Sequence, residues 1–345
     1  MVAGYRSGGG TGTCVATDAG APPANAYIGS YVLGKGFILS PEQAQDLIQR
    51  DPRNQDVLFP YLNGEDLNSR PDCSASRWVI NFHDWPEERA REYPEVFAIV
   101  ERDVKPERLK NNRKVYREYW WQYAEKRPAM LREIVGLDRV LVVALVSRTV
   151  MPVMVPTGQV FSHMLGVFAT PAPSDLALLN SGIHHAWAVA RASSLKGDLR
   201  YTPSDVYETL PQPRSAAAVA NAGITVQEIR GEIMKSRQVG LTRLYNMFHA
   251  PDEVAADVRE LRIAHCEIDA AVAAAYGWED LDLSRDFHRT RQGVRLTINS
   301  ATRTEILDRL LELNHDLHAS AQSMTADMGK GRRLHGSYDR GDRLF

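Results

Sequence analysis

Leu210-Pro211-Gln212-Pro213-Arg214-Ser215-Ala216-Ala217-Ala218-Val219-Ala220-Asn221-Ala222-Gly223 divides the chain into two parts that obey different periods. Two prolines in three residues interrupt whatever precedes them, and small residues follow up to Gly223; such a cluster punctuates a chain between elements. Beyond it, Val254, Val258, Leu261, His265, Ile268 and Val272 recur in steps of four and three, the seam of a packed helix. Leu241, Leu244, Tyr245 and Phe248 repeat the pattern in a shorter segment. Thr302 and Glu305 have capping-box spacing ahead of Ile306, Leu310, Leu313 and Leu317. The spacing predicts an α-helical bundle over residues 214–320 and a flexible tail over residues 321–345.

On the other side of the boundary the elements are mixed. Ser40-Pro41-Glu42-Gln43 sets a capping Ser, a Pro at the first helical position and a Gln at the third, which predicts a helix through Arg50. Short strands are expected at Val57–Phe59 and Trp78–Phe82, with Asn63-Gly64, Asn68 and Pro71 as turn residues between them. Trp85 to Lys126 reads helical with breaks at Pro94 and near Pro106, and Ser174–Ala192 reads helical again. Arg139–Met154 is a long β-branched stretch, and His163–Ala169 is a further strand candidate. The fold class is therefore α+β: a mixed α/β domain over residues 25–213, followed by the bundle. Residues 1–24, dense in Gly, Ala and Thr, are expected to be a disordered or mis-started N-terminus. The run Gly8-Gly9-Gly10-Thr11-Gly12 lacks the flanking strand, the helix and the Lys-Ser/Thr pair that a phosphate loop needs.

Composition narrows the function classes. The chain has 345 residues, 44% hydrophobic and 24% charged, enough for about two domains with a buried core. No apolar run approaches the ~18 residues of a spanning helix, so no membrane partner is expected. No basic segment leads into an apolar stretch as in a secretory signal. Cys14, Cys73 and Cys266 lie far apart, with neither metal-ligand nor disulfide-framework spacing, and a cytoplasmic location is expected. Net charge is −2, which excludes a uniformly basic polyanion binder. Its distribution is uneven: Arg102–Arg148 holds 12 Lys/Arg against 6 Asp/Glu, while Ser215–Asp280 holds 6 against 10. The basic part can face a polyanion while the acidic part faces elsewhere.

Catalytic signatures are absent. The sequence has no Gly-x-Ser-x-Gly elbow, His-Glu-x-x-His, Gly-Lys-Ser/Thr or paired Cys motif. Nor does it have the Asn/Asp-Pro-Pro-aromatic motif with which amino-methylating enzymes hold a flipped base. No catalytic residue is assigned. His184 and His185 are adjacent, so on a helix they point about 100° apart and cannot chelate one ion. His315 and His318 have no third ligand, and His265 sits on the apolar seam; no metal is expected. Asn63-Gly64, flanked by Glu65 and Asp66, reads as an Asx-type turn with Asp66 capping the next segment rather than as a catalytic acid pair.

Two segments carry chemistry that suits a nucleic acid. Lys105, Arg108, Lys110, Arg113, Lys114 and Arg117, with Glu107 the single acid among them, run into Tyr119, Trp120, Trp121 and Tyr123. Basic residues give phosphate affinity, and aromatics stack on bases. The same residues also suit a solvated helical face anchored by its tryptophans, and composition leaves both readings open. Val146-Ser147-Arg148-Thr149-Val150-Met151 alternates, so as a strand it sets Ser147, Thr149 and Met151 on one face and Val146, Arg148 and Val150 on the other. Such a strand can offer hydrogen-bonding groups to base edges, or it is an ordinary half-buried strand.

The sequence also resembles a family. Gly29-Ser30-Tyr31-Val32-Leu33-Gly34-Lys35-Gly36-Phe37, Phe59-Pro60-Tyr61-Leu62-Asn63-Gly64-Glu65-Asp66-Leu67-Asn68 and Trp78-Val79-Ile80-Asn81-Phe82 are similar to the target-recognition region of MmeI-like enzymes. Those are single-chain type IIG/IIL restriction–modification proteins and related bacterial adenine-specific DNA methyltransferases. Trp120-Trp121, Ser181 with His184 and Trp187, Tyr201 with Pro203-Ser204, and Leu210-Pro211-Gln212-Pro213 follow in the family's order. Gly240-Leu241-Thr242-Arg243-Leu244-Tyr245-Asn246, Asp269, Ala275-Tyr276-Gly277-Trp278, Arg303-Thr304-Glu305-Ile306-Leu307 and Leu310-Leu311-Glu312-Leu313-Asn314 resemble its C-terminal helical segment.

The resemblance, over about residues 26–317, implies a sequence-specific DNA-recognition module without the methyltransferase and nuclease domains. In the family an upstream domain binds S-adenosylmethionine and methylates adenine N6, so no cofactor is expected in this chain. Double-stranded DNA is the implied partner, together with a separate methyltransferase or nuclease subunit. A separated specificity part and a gene fragment are both compatible with the lack of those modules. Base readout is implied for Ser147, Arg148, Thr149 and Met151, with Gln159, Ser162 and His163 on the return. Phosphate contacts are implied for Lys105, Arg108, Lys110, Arg113, Lys114, Arg117, His184 and His185. The alternatives are an enzyme of unfamiliar type using His184, His185 and Asp66, and a protein-interaction module docking a partner on its acidic helices.

Overall fold

The computed structural model describes residues 25–147, 150–195, 198–214 and 216–334. The expectations for residues 1–24, including the Gly8–Gly12 run, and for the end of the tail lie outside them. Strand Arg139–Ala144 is the centre of the fold. Val140, Leu141, Val142 and Val143 are at most 1% exposed, which a run without polar alternation achieves only when both faces are covered. It lies between strands Leu165–Phe168 and Val153–Pro156, with Ala26–Ile28 at the edge, all antiparallel. The β-branched stretch Arg139–Met154 is therefore not one strand. After Ala144 the chain bends, and Val146–Ser147 leaves the sheet to pair with Arg200 and Leu199. Pro152, which has no N–H to give a ladder, precedes the return strand.

A second sheet orders Ile38–Leu39, Arg77–Ile80, Leu58–Leu62 and Val160–Phe161, the last pair parallel. It has its own core, in which Phe37, Val79, Phe97, Trp120 and Trp121 meet. The Ser40 capping box forms as its spacing predicts: Gln43 N donates to Ser40 Oγ over 3.2 Å and Ser40 N to Gln43 Oε1 over 2.9 Å. The expected helical stretch Trp85–Lys126 divides into Glu87–Ala90, Pro94–Asp103, Lys105–Arg108 and Lys114–Glu118. Beyond Glu118 it is not helical. Trp120, Trp121, Gln122 and Tyr123 are all buried, and a helix cannot bury four consecutive side chains on one face.

Helices Ala217–Arg237, Leu241–Phe248 and Ala256–Tyr276 follow the boundary. Val258, Leu261, His265, Ile268 and Val272 are buried as the seam requires, but Val254 precedes the helix and is exposed. A Cβ on Gly223 would fall 2.1 Å from the Pro173 carbonyl oxygen, so only glycine lets helix Ala217–Arg237 lie this close to helix Pro173–Asn180. One core runs from Ala26 and Val142 through Leu179 and Ile268 to Leu310, joining the sheet to the C-terminal helices.

Two features depart from the expected bundle. Strands Arg285–Thr290 and Gly293–Ile298 form an antiparallel hairpin within it, turning at Gly293 with φ of 99°. The last helix, Ser300–Leu334, passes the limit at residue 320. Its cap is Asn299, whose Oδ1 accepts from Thr302 N over 2.9 Å; Thr302 lies one turn inside. Among the described residues no helix is long and apolar enough to cross a membrane.

Candidate nucleic-acid interface

The short strand Val146–Ser147 forms a small sheet with Asp198–Arg200 and Ser193–Leu195. Ser147 is half-buried beside a groove bordered by Asn68, Thr242, Asn246 and Arg295. Met151 is 5% exposed and forms part of the groove's wall, so it supplies apolar surface and does not project. Arg148 and Thr149 lie outside the described residues.

The return hairpin separates its three candidates. Ser162 is 3% exposed, its hydroxyl accepts from Met164 N over 3.2 Å, and its backbone bridges to Ser30. It holds two sheets together and has no face for a base. Gln159 is half-buried and donates to the Pro156 carbonyl over 2.7 Å. His163 leans on Tyr31 with ring centroids 4.6 Å apart, in a cleft with Arg113, Tyr116 and Arg127. Its buried Nδ1 has no hydrogen-bond partner among the described residues. Burial, then Arg127, pushes its pKa below the usual histidine value. The structure thus brings two nominated residues, His163 and Arg113, into one aromatic and cationic cleft, apart from the Ser147 groove.

The basic segment is of two kinds. Arg108 is 2% exposed. It donates to the carbonyls of Leu33, Val32 and Gln122 over 2.9, 2.9 and 3.0 Å. It is a structural clasp, and the phosphate role expected of it is withdrawn. Arg117 likewise clasps the Asn111 and Asn112 carbonyls. Lys105 pairs with Glu101 over 2.7 Å and lies 4.6 Å from the Trp120 ring centroid. Lys110 is exposed and has no ion pair among the described residues. The exposed Arg113 side chain donates to Tyr116 Oη over 2.8 Å, and exposed Lys114 has a loose 3.4 Å contact with Glu118. Of the four aromatics, Tyr119 alone is exposed. Lys110, Arg113, Lys114 and Tyr119 are therefore the part of the segment that faces solvent.

Arg108→Ala should destabilise the protein by about 3 kcal/mol, because three buried carbonyls lose their donor. Arg108→Lys should restore little, since an ammonium cannot reproduce the planar fork. Lys110→Ala should stay within about 0.5 kcal/mol of the parent. Urea denaturation of the three variants checks this, and a stable Arg108→Ala would return Arg108 to the surface set.

The paired histidines also part. His184 is fully buried, with Nδ1 2.8 Å from the Leu179 carbonyl and Nε2 3.0 Å from Tyr201 Oη. The carbonyl requires Nδ1 to carry the proton, so Nε2 accepts from the tyrosine. Burial holds its pKa down at about 3. It packs the core and cannot meet a phosphate, which corrects that expectation. His185 is half-buried and faces a cavity instead. Burial first, then the charges of Arg285, Arg303 and Arg295, hold it at about 4. Asp66 accepts from Asn63 Nδ2, Ser76 N and Ser76 Oγ over 2.8, 3.0 and 2.6 Å. Asn63, not Asp66, caps the following helix Gly64–Ser69. His184 and Asp66 are committed to structural bonds, so of the three residues of the enzyme alternative only His185 faces a cavity. No group of three His, Cys, Asp or Glu able to hold a metal occurs among the described residues.

Residues 24–214 match the family model of the MmeI target recognition domain. The chain belongs to the MmeI target-recognition-domain family. Among solved structures it is similar to one described as the type IIL restriction–modification enzyme MmeI in complex with DNA, with a TM-score of 0.61 and 18% sequence identity. The likeness covers 87% of this chain and 36% of that one. At this identity the likeness is one of fold, and it includes C-terminal helices beyond the recognition domain. The chain spans about a third of that enzyme's length. No curated protein matches it.

Sequence reasoning missed the Arg285–Ile298 hairpin, which brings Arg285, Arg291 and Arg295 to the cavity beside His185. The helical spacing on either side extended the expected bundle across this part of the chain. The signal was present in Gly293-Val-Arg-Leu-Thr-Ile298, where Leu296 and Ile298 alternate with polar residues and are buried. Its partner strand, Arg285-Asp-Phe-His-Arg-Thr290, carries too few apolar residues to read as a strand.

Proposed function

We propose that this chain is the DNA sequence-recognition module of a bacterial restriction–modification system that methylates adenine N6. The observation that carries the reading is the match of residues 24–214 to the MmeI target recognition domain. The fold shared with a DNA-bound enzyme and the exposed Lys110, Arg113 and Lys114 support it. Double-stranded DNA is the proposed partner: exposed basic groups position the duplex, and residues around the Ser147 strand choose the sequence. Methyl transfer from S-adenosylmethionine, and cleavage, would belong to other domains or to a separate subunit, and a cytoplasmic setting accords with that task.

Selection from a randomised duplex library, at low and at near-physiological salt, tests the reading. Enrichment of one motif at both salts is expected. Affinity without enrichment would sink it, and salt-insensitive binding to a protein with none to DNA would favour the protein-interaction alternative. Replacing Lys110, Arg113 and Lys114 together by Ala should weaken all duplexes alike by about tenfold or more and flatten the salt dependence. Arg148→Ala should instead change the enriched motif, because a bidentate contact to guanine discriminates by about 1–3 kcal/mol.

A further inference from the structure

The C-terminal hairpin, helix Gly182–Arg191 and helix Leu241–Phe248 enclose a cavity of about 550 Å³, a size typical of small-ligand sites. Leu179, Val189 and Phe248 supply apolar wall. Arg285, Arg291, Arg295 and Arg303 all line it, and among the described residues no Asp or Glu does. Asp269, just outside, neutralises Arg285 through bonds of 2.7 and 3.0 Å. Its remaining capacity goes to Gly182 N over 2.6 Å. Arg291 and Arg303 have no ion pair among the described residues. The field of this cluster also reaches the imidazoles of His185 and His249, which burial and neighbouring arginines hold neutral. Arg291 and Arg303, set against an apolar wall without a carboxylate partner among the described residues, repel one another, and an anion with oxygens for their planar forks relieves that repulsion.

We propose that this cavity is an anion site for the phosphate group of a nucleotide, held by Arg291 and Arg303. The cavity shares Met151, Tyr245, His249 and Arg295 with the groove beside Ser147. A phosphodiester of DNA lying against that strand is one source of the phosphate; a free mononucleotide, its base on the apolar wall, is the other. The anion site itself stands apart from the DNA-recognition reading, and only the duplex source rests on it.

Calorimetric titration of the full chain with inorganic phosphate, adenosine monophosphate and the selected duplex tests the proposal. It is run on the parent, Arg291→Gln and Arg291→Gln/Arg303→Gln. The double variant is expected to bind the duplex about tenfold more weakly, with a salt slope lower by about one to two, and to keep the sequence preference. Arg291 is exposed in the hairpin turn, so its single substitution keeps the test valid if the double variant does not fold. Arginine-dependent binding of phosphate or the mononucleotide, with no duplex binding by the parent, would uphold the anion site and sink the DNA reading. Duplex binding unchanged by the substitutions, with no binding of phosphate or the mononucleotide, would overturn the anion site and leave the DNA reading intact.

Discussion

Between pH 6.5 and pH 4 the protein should lose most of its stability, before its exposed carboxylates titrate. His184 and His249 are held at about 3 and His185 at about 4, burial being the largest cause in each; buried His265 is also pushed far down. An unfolded imidazole titrates near 6.5. Below that pH the unfolded chain takes up protons that the native one refuses, so this stability is fully present above about 6.5. It is lost progressively as the pH falls towards the native values. Each such histidine costs about 1.4 kcal/mol per pH unit in that window, so four acting together approach about 5 kcal/mol per unit. Against a total of about 5–15 kcal/mol, about one to three units suffice to unfold the protein.

The geometry shows why the charge is refused. His249 Nδ1 accepts from Leu296 N over 3.2 Å, and a proton there would face another proton. His265 Nε2 lies 2.9 Å from Tyr245 Oη deep in the helical seam. Urea midpoints at pH 7.5, 6.5 and 5.5 give the slope, and a flat profile to pH 5 would sink the prediction. His249→Asn, which offers Oδ1 to the same N–H, should reduce the slope by about one proton.

How much of this was legible depends on what each residue's role is local to. The Ser40 box and the Ala256–Tyr276 seam are set by neighbours within a few turns, and the sequence displays them. Arg108 is different. Its side chain answers carbonyls of Val32 and Leu33, about 75 residues away, so within its own segment it is indistinguishable from exposed Lys110. Ser162 likewise looks like a readout residue until the Ser30 bridge buries it. The family could be recognised because many modest motifs occur in one order, and order survives where single positions do not. The C-terminal hairpin was missed because charged residues hide its alternation, and with it went the cationic cavity.

Asp269→Ala should cost about 3–5 kcal/mol, the largest loss from any single substitution considered, because it strands a buried charge. Asp269 is 0% exposed on helix Ala256–Tyr276. Its carboxylate takes both Arg285 donors from the hairpin and the N–H of Gly182 at the start of helix Gly182–Arg191, the positive end of that helix. A Cβ on Gly182 would meet Ile298 at 2.5 Å, so the three elements are already in contact and cannot close over a void. Asp269→Asn keeps an acceptor for Gly182 but leaves Arg285 unneutralised, and it should fall between the parent and Asp269→Ala. Replacing Asp269 and Arg285 together by Leu and Met should cost less than Asp269→Ala alone, since a buried pair exchanged for apolar side chains is often nearly neutral. Urea denaturation of the set decides, and a loss under about 1 kcal/mol for Asp269→Ala would show that the carboxylate does not hold these elements. If it does hold them, the same substitution frees the hairpin that carries Arg291 and Arg295. Anion affinity and stability should then fall together in Asp269→Ala, whereas Arg291→Gln should lower affinity alone.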